Sequence, residues 1–481
     1  MRYALLIGII LASLFLGAST LTRGHEWGDD FASYIMQAES IWHGTTREFV
    51  QHNSITIFES SNQIGPIAYP WGYPLILAPV YALKGIHPLA LKLPGLMFYA
   101  GFLACLYWLM QPRLGQAESF LIVGLFAFNP LLLGFLDQIL SDIPFLFFST
   151  LALLFMGGTR KLTTRQLVIT GILIFLAYFI RTTGVLLLAS FIAVEFLKIV
   201  NKHGDGETRS QNIRPVLIVC VTFGLLFLVS LLLLPEGETS HLLRFQEFNI
   251  ERAIRFTGSY LAVFGTFFGE SVAWQILYYV LFIFFLLGAW IRRSQDILFI
   301  VFFALWMTVL IIWPAWQGPR FILPLVPIFI YFVFQGMKSG LAKLPDPFRA
   351  AGLWVFYGFW SLIILIFLFT SGRNAYVNMK HDRSINGPFD PYSQQVYKYI
   401  RAETPANSVI VFFKPRLMRM MTGHDSIMST ECDRILKGEY LVLSKKVGEN
   451  QQIPPTEIAT CHLPLEQVFT NNRFVIYQIG K

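Results

Sequence analysis

Charged residues are scarce in this chain. Of its 481 residues 14% are charged and 55% are hydrophobic, and the mean hydropathy is +0.56. Soluble domains carry roughly 25% charged residues, so this composition excludes a soluble globular protein and predicts a polytopic membrane protein. The net charge of +8 is ordinary for that class, whose Lys and Arg concentrate in cytoplasmic loops, and it does not indicate nucleic-acid binding.

Metal-ligand patterns and internal repeats are also missing. His25, His52, His87 and His241 are scattered along the chain, and none of them forms a pair at the spacing of metal ligands. We therefore predict no metal site and no cofactor. The absence of a repeat argues against the duplicated architecture of many transporters.

Cysteines are few and fall into two groups. Cys105 and Cys220 lie within apolar runs and are predicted to be small core residues. Cys432 and Cys461 lie in the polar C-terminal segment. They would pair in an oxidising compartment, and the alternative is two free thiols.

Long apolar runs dominate the first 371 residues. About eleven reach the roughly 17–25 residues that a membrane span needs: 3–22, 89–110, 117–134, 142–158, 166–181, 184–200, 215–234, 272–291, 297–314, 321–337 and 351–371. Connections at 111–118, 158–166, 198–214, 291–296 and 336–350 are rich in Lys and Arg, whereas 129–141, 181–183 and 315–320 contain only Arg181 and Arg320 as basic residues. This asymmetry predicts that the second set lies outside the cytoplasm.

The first run also resembles a signal peptide, because Arg2 precedes it and small residues follow. Its length favours an uncleaved anchor. In either case the loop that follows, residues 23–88, lies outside. There the sequence predicts a helix over Phe31–Trp42, a polar stretch over 52–63, and an amphipathic segment over Tyr73–Leu83 lying flat on the outer interface. Residues 235–271 predict another interfacial helix.

The composition becomes that of a soluble domain after residue 371, so we divide the chain into 1–371 and 372–481. In the second part residues 391–403 read as an amphipathic helix and 408–413 and 439–444 as strands. Residues 466–478 read as a hairpin with an Asn-Asn turn. This predicts a small α/β domain, which the odd number of spans places outside the cytoplasm.

Two adjacent carboxylates, Asp29 and Asp30, follow the first span, with Tyr34 on the same predicted helix face as Asp30. An ionisable residue beside a bilayer is costly and often functional, and a partly desolvated carboxylate suits a general base. The alternative is that one Asp caps the helix. We rank Asp30 above Asp29 as the base.

Further polar clusters are predicted at the same end of the spans. The aromatic turn of residues 69–74 contains Tyr69, Trp71 and Tyr73, which would stack on a sugar or belong to an aromatic belt. Asp142 begins a span and would contact substrate or cap the helix.

Two arginines also lie at this end. Arg320 follows Gly318-Pro319, and Arg181 ends a span. Each would clamp a lipid-linked phosphate or simply snorkel to lipid headgroups.

These motifs, in this order, resemble the GT-C superfamily of membrane glycosyltransferases. They are Gly-Asp-Asp-x-x-x-Tyr, Tyr-Pro-x-Gly-Tyr-Pro, Asn-Pro…Ser-Asp-x-Pro and Gly-Pro-Arg-Phe-x-Leu-Pro. The likeness is greatest to family 39, which contains dolichyl-phosphate-mannose protein mannosyltransferases and bacterial aminoarabinose transferases. Many relatives read Asp-Glu where this chain has Asp29-Asp30.

The resemblance implies an inverting transfer of a hexosyl or pentosyl group from a polyprenyl-phosphate donor to an extracytoplasmic acceptor, which would be a protein, lipid A or a glycan. It implies that Asp30 or Asp29 is catalytic and that Arg320 binds the donor phosphate. Arg181, Lys92 and Arg23 are further phosphate-binding candidates by position. Some members use a divalent cation at the acidic site, which stays an alternative to a metal-free enzyme. The implied location is the inner or plasma membrane.

The sequence leaves two other functions open. One is a transporter or flippase of a lipid-linked or polar substrate. The absence of a repeat, and of a run of ionisable residues inside any span, argues against it. The other is a polymerase or ligase of lipid-linked glycans, which the sequence does not distinguish from a sugar transferase.

Overall fold

The computed structural model describes residues 2–62, 65–157, 162–201, 209–235, 249–381, 385–446, 451–454 and 456–480. The membrane part is helical. Its helices are α1 Arg2–Thr20, α2 Asp30–His43, α3 Thr46–Glu59, α4 Gly72–Lys84, α5 Pro88–Leu114, α6 Gln116–Ala127, α7 Pro130–Leu136, α8 Asp142–Met156, α9 Thr164–Ile180, α10 Val185–Asn201, α11 Arg209–Leu233, α12 Ile250–Val263, α13 Val272–Arg292, α14 Ile297–Ile312, α15 Val326–Leu341 and α16 Asp346–His381. Short 3₁₀ segments at Thr182–Gly184, Phe264–Phe267 and Pro319–Leu325 join them.

Each of the eleven predicted spans corresponds to a helix or a bent helix pair. Within the described residues seven helices are long and apolar enough to cross a membrane, and α6 with α7, bent by 54°, would make an eighth. Three further apolar helices, α8, α9 and α14, are shorter. The bend follows from Asn129-Pro130, because Pro130 begins α7 while the Asn129 side chain accepts hydrogen bonds from the Leu131 and Leu132 amides.

The 3₁₀ segment Pro319–Leu325 leads directly into helix α15, which packs closely against α13. A Cβ atom on Gly288 of α13 would lie 1.9 Å from the Phe332 carbonyl oxygen of α15. Only glycine allows this backbone approach, which is the small-residue packing typical of helices in membranes. This packing fixes the position of the Pro319–Leu325 segment along the axis of the bundle.

The first loop is more helical than predicted. Helix α2 covers the predicted Phe31–Trp42 and ends at Gly44, whose φ of 72° is left-handed. Helix α4 covers the predicted Tyr73–Leu83. The polar stretch near His52 was not predicted as a helix, but it belongs to α3 because tertiary packing buries Phe49, Asn53, Thr56 and Ile57. In the second long loop, where an interfacial helix was predicted, the structure has helix α12, and residues 236–248 lie outside the described residues.

Helix α16 continues past the predicted domain boundary at residue 371 to His381. With 36 residues it is about 54 Å long, more than the roughly 30 Å of a bilayer core. Its last turns therefore extend beyond the membrane part and lead into the C-terminal domain.

The C-terminal domain is the predicted α/β unit. Its elements are α17 Pro391–Glu403, β1 Ile410–Phe412, α18 Pro415–Thr422, β2 Ser426–Ile427, α19 Cys432–Ile435, β3 Tyr440–Ser444, β4 Leu465–Thr470 and β5 Phe474–Ile479. The sheet order is β2-β1-β3-β5-β4, with β1 parallel to β2 and β3 and the β4–β5 hairpin antiparallel. The hairpin is confirmed. A disulfide joins Cys432 and Cys461, the first of the two predicted alternatives, while Cys105 and Cys220 are free.

The C-terminal domain lies against the first loop. The Thr56 hydroxyl of α3 donates a hydrogen bond of 2.8 Å to the Ser426 carbonyl oxygen of β2, and the Ser61 amide donates to the Met428 carbonyl oxygen at 2.9 Å. Trp27 packs on Phe413 with ring centroids 5.0 Å apart. The end of β1 and the start of α18 are therefore held beside Asp29 and Asp30.

Candidate active site

The two first-loop carboxylates occupy different positions. Asp30 is the first residue of α2 and Asp29 precedes it. The Asp29 side chain makes no capping hydrogen bond to α2, so the capping alternative is wrong for this residue. Asp29 instead turns toward α18, where it has a hydrogen bond with the Leu417 backbone.

Asp30 is bound on both oxygens. Its Oδ2 accepts a hydrogen bond from Arg320 Nη1 at 2.9 Å, and its Oδ1 accepts one from the Tyr69 hydroxyl at 2.6 Å. Burial by itself would raise the pKa of Asp30, but the Arg320 charge and these hydrogen bonds outweigh it and hold the pKa below its usual value. The carboxyl is therefore ionised at neutral pH and fixed in orientation.

Arg320 bridges two carboxylates. Besides the bond to Asp30, its Nε and Nη2 donate to the two oxygens of Asp142 at 3.2 and 2.9 Å. Arg181 donates to the same Asp142 oxygen as Arg320 Nε and stacks over the Phe321 ring, 4.4 Å from its centroid. The structure thus brings Asp30, Asp142, Arg181 and Arg320 together in one network at one end of the bundle.

Asp142 was predicted to contact substrate, and in this structure its carboxylate is occupied by two arginines. Its side chain is only 2% exposed, and both of its oxygens accept hydrogen bonds from arginines. Because a buried bidentate carboxylate fixes a guanidinium plane, Asp142 positions Arg320 and Arg181. The capping alternative is also not what its side chain does.

The aromatic residues mostly form the wall behind the site. The Tyr34 hydroxyl shares a hydrogen bond with Ser141 Oγ at 2.9 Å, and its ring lies 4.9 Å from Tyr69 and 5.0 Å from Tyr73. Tyr34 and Tyr73 are buried, so neither ring presents a free face in this structure, and their stacking on a substrate stays a prediction. Tyr69 alone of these three contacts the Asp30 carboxylate.

Trp71 is also buried, against Phe49, and its indole N–H donates to the Pro235 carbonyl oxygen at 2.9 Å. The sequence could not show this, because the partner is distant in the chain. The turn packs closely on the end of α9, since a Cβ on Gly72 would lie 2.5 Å from the Phe179 carbonyl oxygen. The turn therefore positions Tyr69 instead of offering a stacking surface.

Lys92 was predicted to bind the donor phosphate, and the structure places its ammonium among protein partners. Lys92 is 1% exposed. Its ammonium donates to Asp137 Oδ1 at 2.7 Å and to the carbonyl oxygens of Thr22 and Gly24 at 2.9 and 2.7 Å. A lysine so fully bonded stabilises the start of the first loop. Arg23, the other candidate by position, is exposed and does not line the cavity described below.

Two functional residues were missed by sequence reasoning, and both belong to the C-terminal domain. Lys414 follows β1 and Arg416 lies in the first turn of α18. Arg416 is fully buried, donates to the Tyr69 hydroxyl at 3.4 Å and to the Pro66 carbonyl oxygen, and lies over the Tyr69 ring. The available signal was a Lys-Pro-Arg triplet directly after a buried strand.

A cavity of about 280 Å³ lies beside these groups. It is lined by first-loop residues 25–31, by Gln138 and Leu140, and by Arg320 and Lys414. Burial lowers the pKa of His25 to about 4, so this ring is neutral, and its Nε2 accepts from the Ile139 amide at 3.0 Å. Among the described residues no three His, Cys, Asp or Glu side chains converge as metal ligands would.

The helical bundle with its appended sheet domain has the fold found in three solved glycosyltransferase structures, which is the GT-C type of fold that the motifs predicted. ArnT from Cupriavidus metallidurans bound to undecaprenyl phosphate matches with a TM-score of 0.60 over 98% of this chain and 97% of that chain, at 13% identity.

Two further solved structures share the fold. The archaeal oligosaccharyltransferase AglB from Archaeoglobus fulgidus, in complex with an inhibitory peptide and a dolichol-phosphate, matches with a TM-score of 0.61 over 92% of this chain and 69% of that one, at 12% identity. The arabinofuranosyltransferase AftD from Mycobacteria matches with a TM-score of 0.54 over 99% and 40%, at 12% identity. No family model and no protein of curated function matches the chain.

Proposed function

We propose that this protein transfers a sugar from a polyprenyl-phosphate carrier to an acceptor on the extracytoplasmic side of the inner or plasma membrane. The observation that carries the proposal is the Asp30–Arg320 ion pair, 2.9 Å long, at the edge of a cavity at one end of the bundle. The fold adds support, because the ArnT structure holds undecaprenyl phosphate and the AglB structure holds a dolichol-phosphate. A transporter or flippase is less well supported by a glycosyltransferase fold.

The donor phosphate is proposed to bind Arg320. The Arg320 side chain is 24% exposed while that of Asp142 behind it is 2% exposed, so a phosphate approaching from the cavity meets the arginine first. Arg181 lies behind Arg320 and adds a second positive charge while it stays paired with Asp142. Preplaced cations of this kind stabilise the charge that develops on a departing phosphate.

The base is proposed to be Asp30. It takes the proton of the acceptor hydroxyl while the acceptor oxygen bonds to the anomeric carbon from the face opposite the phosphate. The bond between that carbon and the phosphate oxygen breaks, its electron pair leaves with the polyprenyl phosphate, and the anomeric configuration inverts. A phosphate that engages Arg320 also draws its charge away from Asp30, which raises the basicity of the carboxylate when the donor is bound.

Nothing in this reaction requires a cofactor, and the proposed enzyme works without a metal. We also place the C-terminal domain, approximately residues 372–481, on the same side as the site, because Arg416 and Lys414 reach the site from it. The acceptor classes under the proposal are a protein, lipid A and another glycan.

The test is transfer by the purified full-length protein in lipid nanodiscs. Radiolabelled polyprenyl-phosphate sugar is extracted from cells that make it, and release of the label from the lipid is followed with a membrane extract as acceptor. Asp30→Asn should abolish transfer while Asp433→Asn, which changes an exposed aspartate of the C-terminal domain, should not. Mass spectrometry of envelope glycans with and without the gene then identifies the product. Transfer that persists at the wild-type rate in Asp30→Asn would refute the mechanism.

A further inference from the structure

The cations around the cavity differ in how fully they are bonded. Arg320 bridges Asp30 and Asp142, Arg181 is bound to Asp142, and Arg416 donates to Pro66 and Tyr69. Lys414 lines the cavity, yet in the described part of the chain its ammonium has no hydrogen-bond or ion-pair partner. Its positive charge acts on Asp29, which lines the same cavity, and lowers the pKa of that carboxyl against the larger effect of burial, but no bond joins the two side chains.

The backbone at Lys414 is well anchored. It follows the buried strand β1, and Pro415, which fixes φ, begins α18. Arg416, two residues on, is fully buried and ties this turn to the first loop through the Pro66 carbonyl oxygen and Tyr69. The half-buried lysine is thus presented to the cavity from a fixed point, which is how binding side chains are usually supported.

An independent observation concerns Asp29, which lines the same cavity and is 6% exposed. Its Oδ1 atom has no hydrogen-bond partner among the described residues. Buried polar atoms without partners are rare and call for an explanation. A ligand hydroxyl that donates to this oxygen supplies one.

We infer that Lys414, delivered by the C-terminal domain, binds a phosphate oxyanion of a sugar phosphate in this cavity, with Asp29 Oδ1 accepting a hydroxyl of the same ligand. The inference rests on the proposed function. The sugar phosphate is either the donor itself or a phosphorylated acceptor, since both present an oxyanion beside hydroxyls. The α/β domain is then part of the active site.

The experiment measures direct binding to the full-length protein in nanodiscs with two radiolabelled probes. Undecaprenyl phosphate represents the donor, and glucose 6-phosphate, whose phosphate is not on the anomeric carbon, represents a phosphorylated acceptor. The variants are Lys414→Gln and Lys414→Arg, with Lys398→Gln as the control, because Lys398 is an exposed lysine of α17 in the same domain. Thermal unfolding of each variant tests whether the domain stays docked. Loss of one partly exposed charged hydrogen bond should weaken binding about fivefold to tenfold.

Four outcomes are distinguishable. Weaker undecaprenyl phosphate binding in Lys414→Gln, with Lys414→Arg close to wild type, supports the inference and assigns the phosphate to the donor. Weaker binding of glucose 6-phosphate alone supports it and assigns the phosphate to the acceptor. Unchanged affinity for both probes, with sugar transfer intact in the wild type, overturns the inference and leaves the proposed reaction standing, whereas a wild type that binds neither probe overturns the proposed function as well.

Discussion

Replacing Arg320 tests the proposed donor site most directly. The residue donates three hydrogen bonds, one to Asp30 at 2.9 Å and two to Asp142 at 3.2 and 2.9 Å. A lysine offers a compact point charge without the planar fork of a guanidinium, so it cannot hold both carboxylates and a phosphate in the same geometry. Arg320→Lys and Arg320→Ala therefore separate charge from geometry.

The size of the effect follows from the bonds lost. Charge-assisted hydrogen bonds contribute roughly 1.5–3 kcal/mol each, so Arg320→Ala should lower kcat/KM for the donor by about tenfold or more, since about 1.4 kcal/mol is tenfold. Arg320→Lys should lie between Arg320→Ala and wild type. The fold should survive, because Asp142 keeps its bond to Arg181 and Asp30 keeps its bond to Tyr69.

The assay is steady-state transfer in nanodiscs, with the donor varied at saturating acceptor and protein amount fixed by absorbance. Arg373→Ala is the matched control, because Arg373 is an exposed arginine near the end of α16. The loss should appear on the donor side and not in the KM for the acceptor. Equal donor kinetics for wild type and Arg320→Ala would show that this arginine is a membrane-surface anchor only.

The remaining predictions use the same preparation. Asp29→Asn should retain more transfer than Asp30→Asn, and the reverse order in single-turnover rates would show that the ranking of the two carboxylates is wrong. Because the Tyr69 hydrogen bond lowers the pKa of Asp30, Tyr69→Phe should raise that pKa and move the acidic limb of the kcat/KM profile to higher pH; an unmoved limb would contradict the role of Asp30 as base. Lys92→Met removes the ammonium bonded to the buried Asp137 carboxylate and should destabilise the protein by about 3–5 kcal/mol. The expected result is a lower unfolding temperature with an unchanged donor KM in the folded fraction. A raised donor KM at unchanged stability would instead support phosphate binding by Lys92. A cysteine in place of the exposed Asn407 should react with an impermeant thiol reagent in intact cells, and reaction only after lysis would place the C-terminal domain in the cytoplasm.

Much of the fold follows from local pattern. Apolar runs of spanning length correspond to helices throughout, and in the tail the β4–β5 hairpin and α17 are where period and turn residues predicted them. Helix α3 escaped prediction because its apolar residues are few and its stability comes from packing on other elements. The two-residue strand β2 carries too little sequence to show a period.

The candidate site was predicted only in part. Asp30 and Arg320 were identified because motifs mark them, and the structure joins them. In the sequence, Lys92 and Trp71 resemble ligand-binding residues. Their bonds to distant partners, Lys92 to Asp137 and Trp71 to Pro235, become visible only in the structure. Such pairings depend on tertiary contacts that no local period encodes.

The contact between α3 and strand β2 has a practical consequence for expression of the C-terminal domain by itself. Strand β2 is one edge of the sheet, and residues 56–61 of the first loop satisfy its backbone through Ser426 and Met428. The opposite edge, β4, is protected by its own irregular register. A fragment that starts after α16 would expose the unpaired backbone of the β2 edge and the side chain of Arg416, which the first loop covers in the full chain. Exposed sheet edges pair with strands of other chains. Such a fragment should aggregate on expression, and a soluble version would need the α3 segment supplied in trans or fused to it.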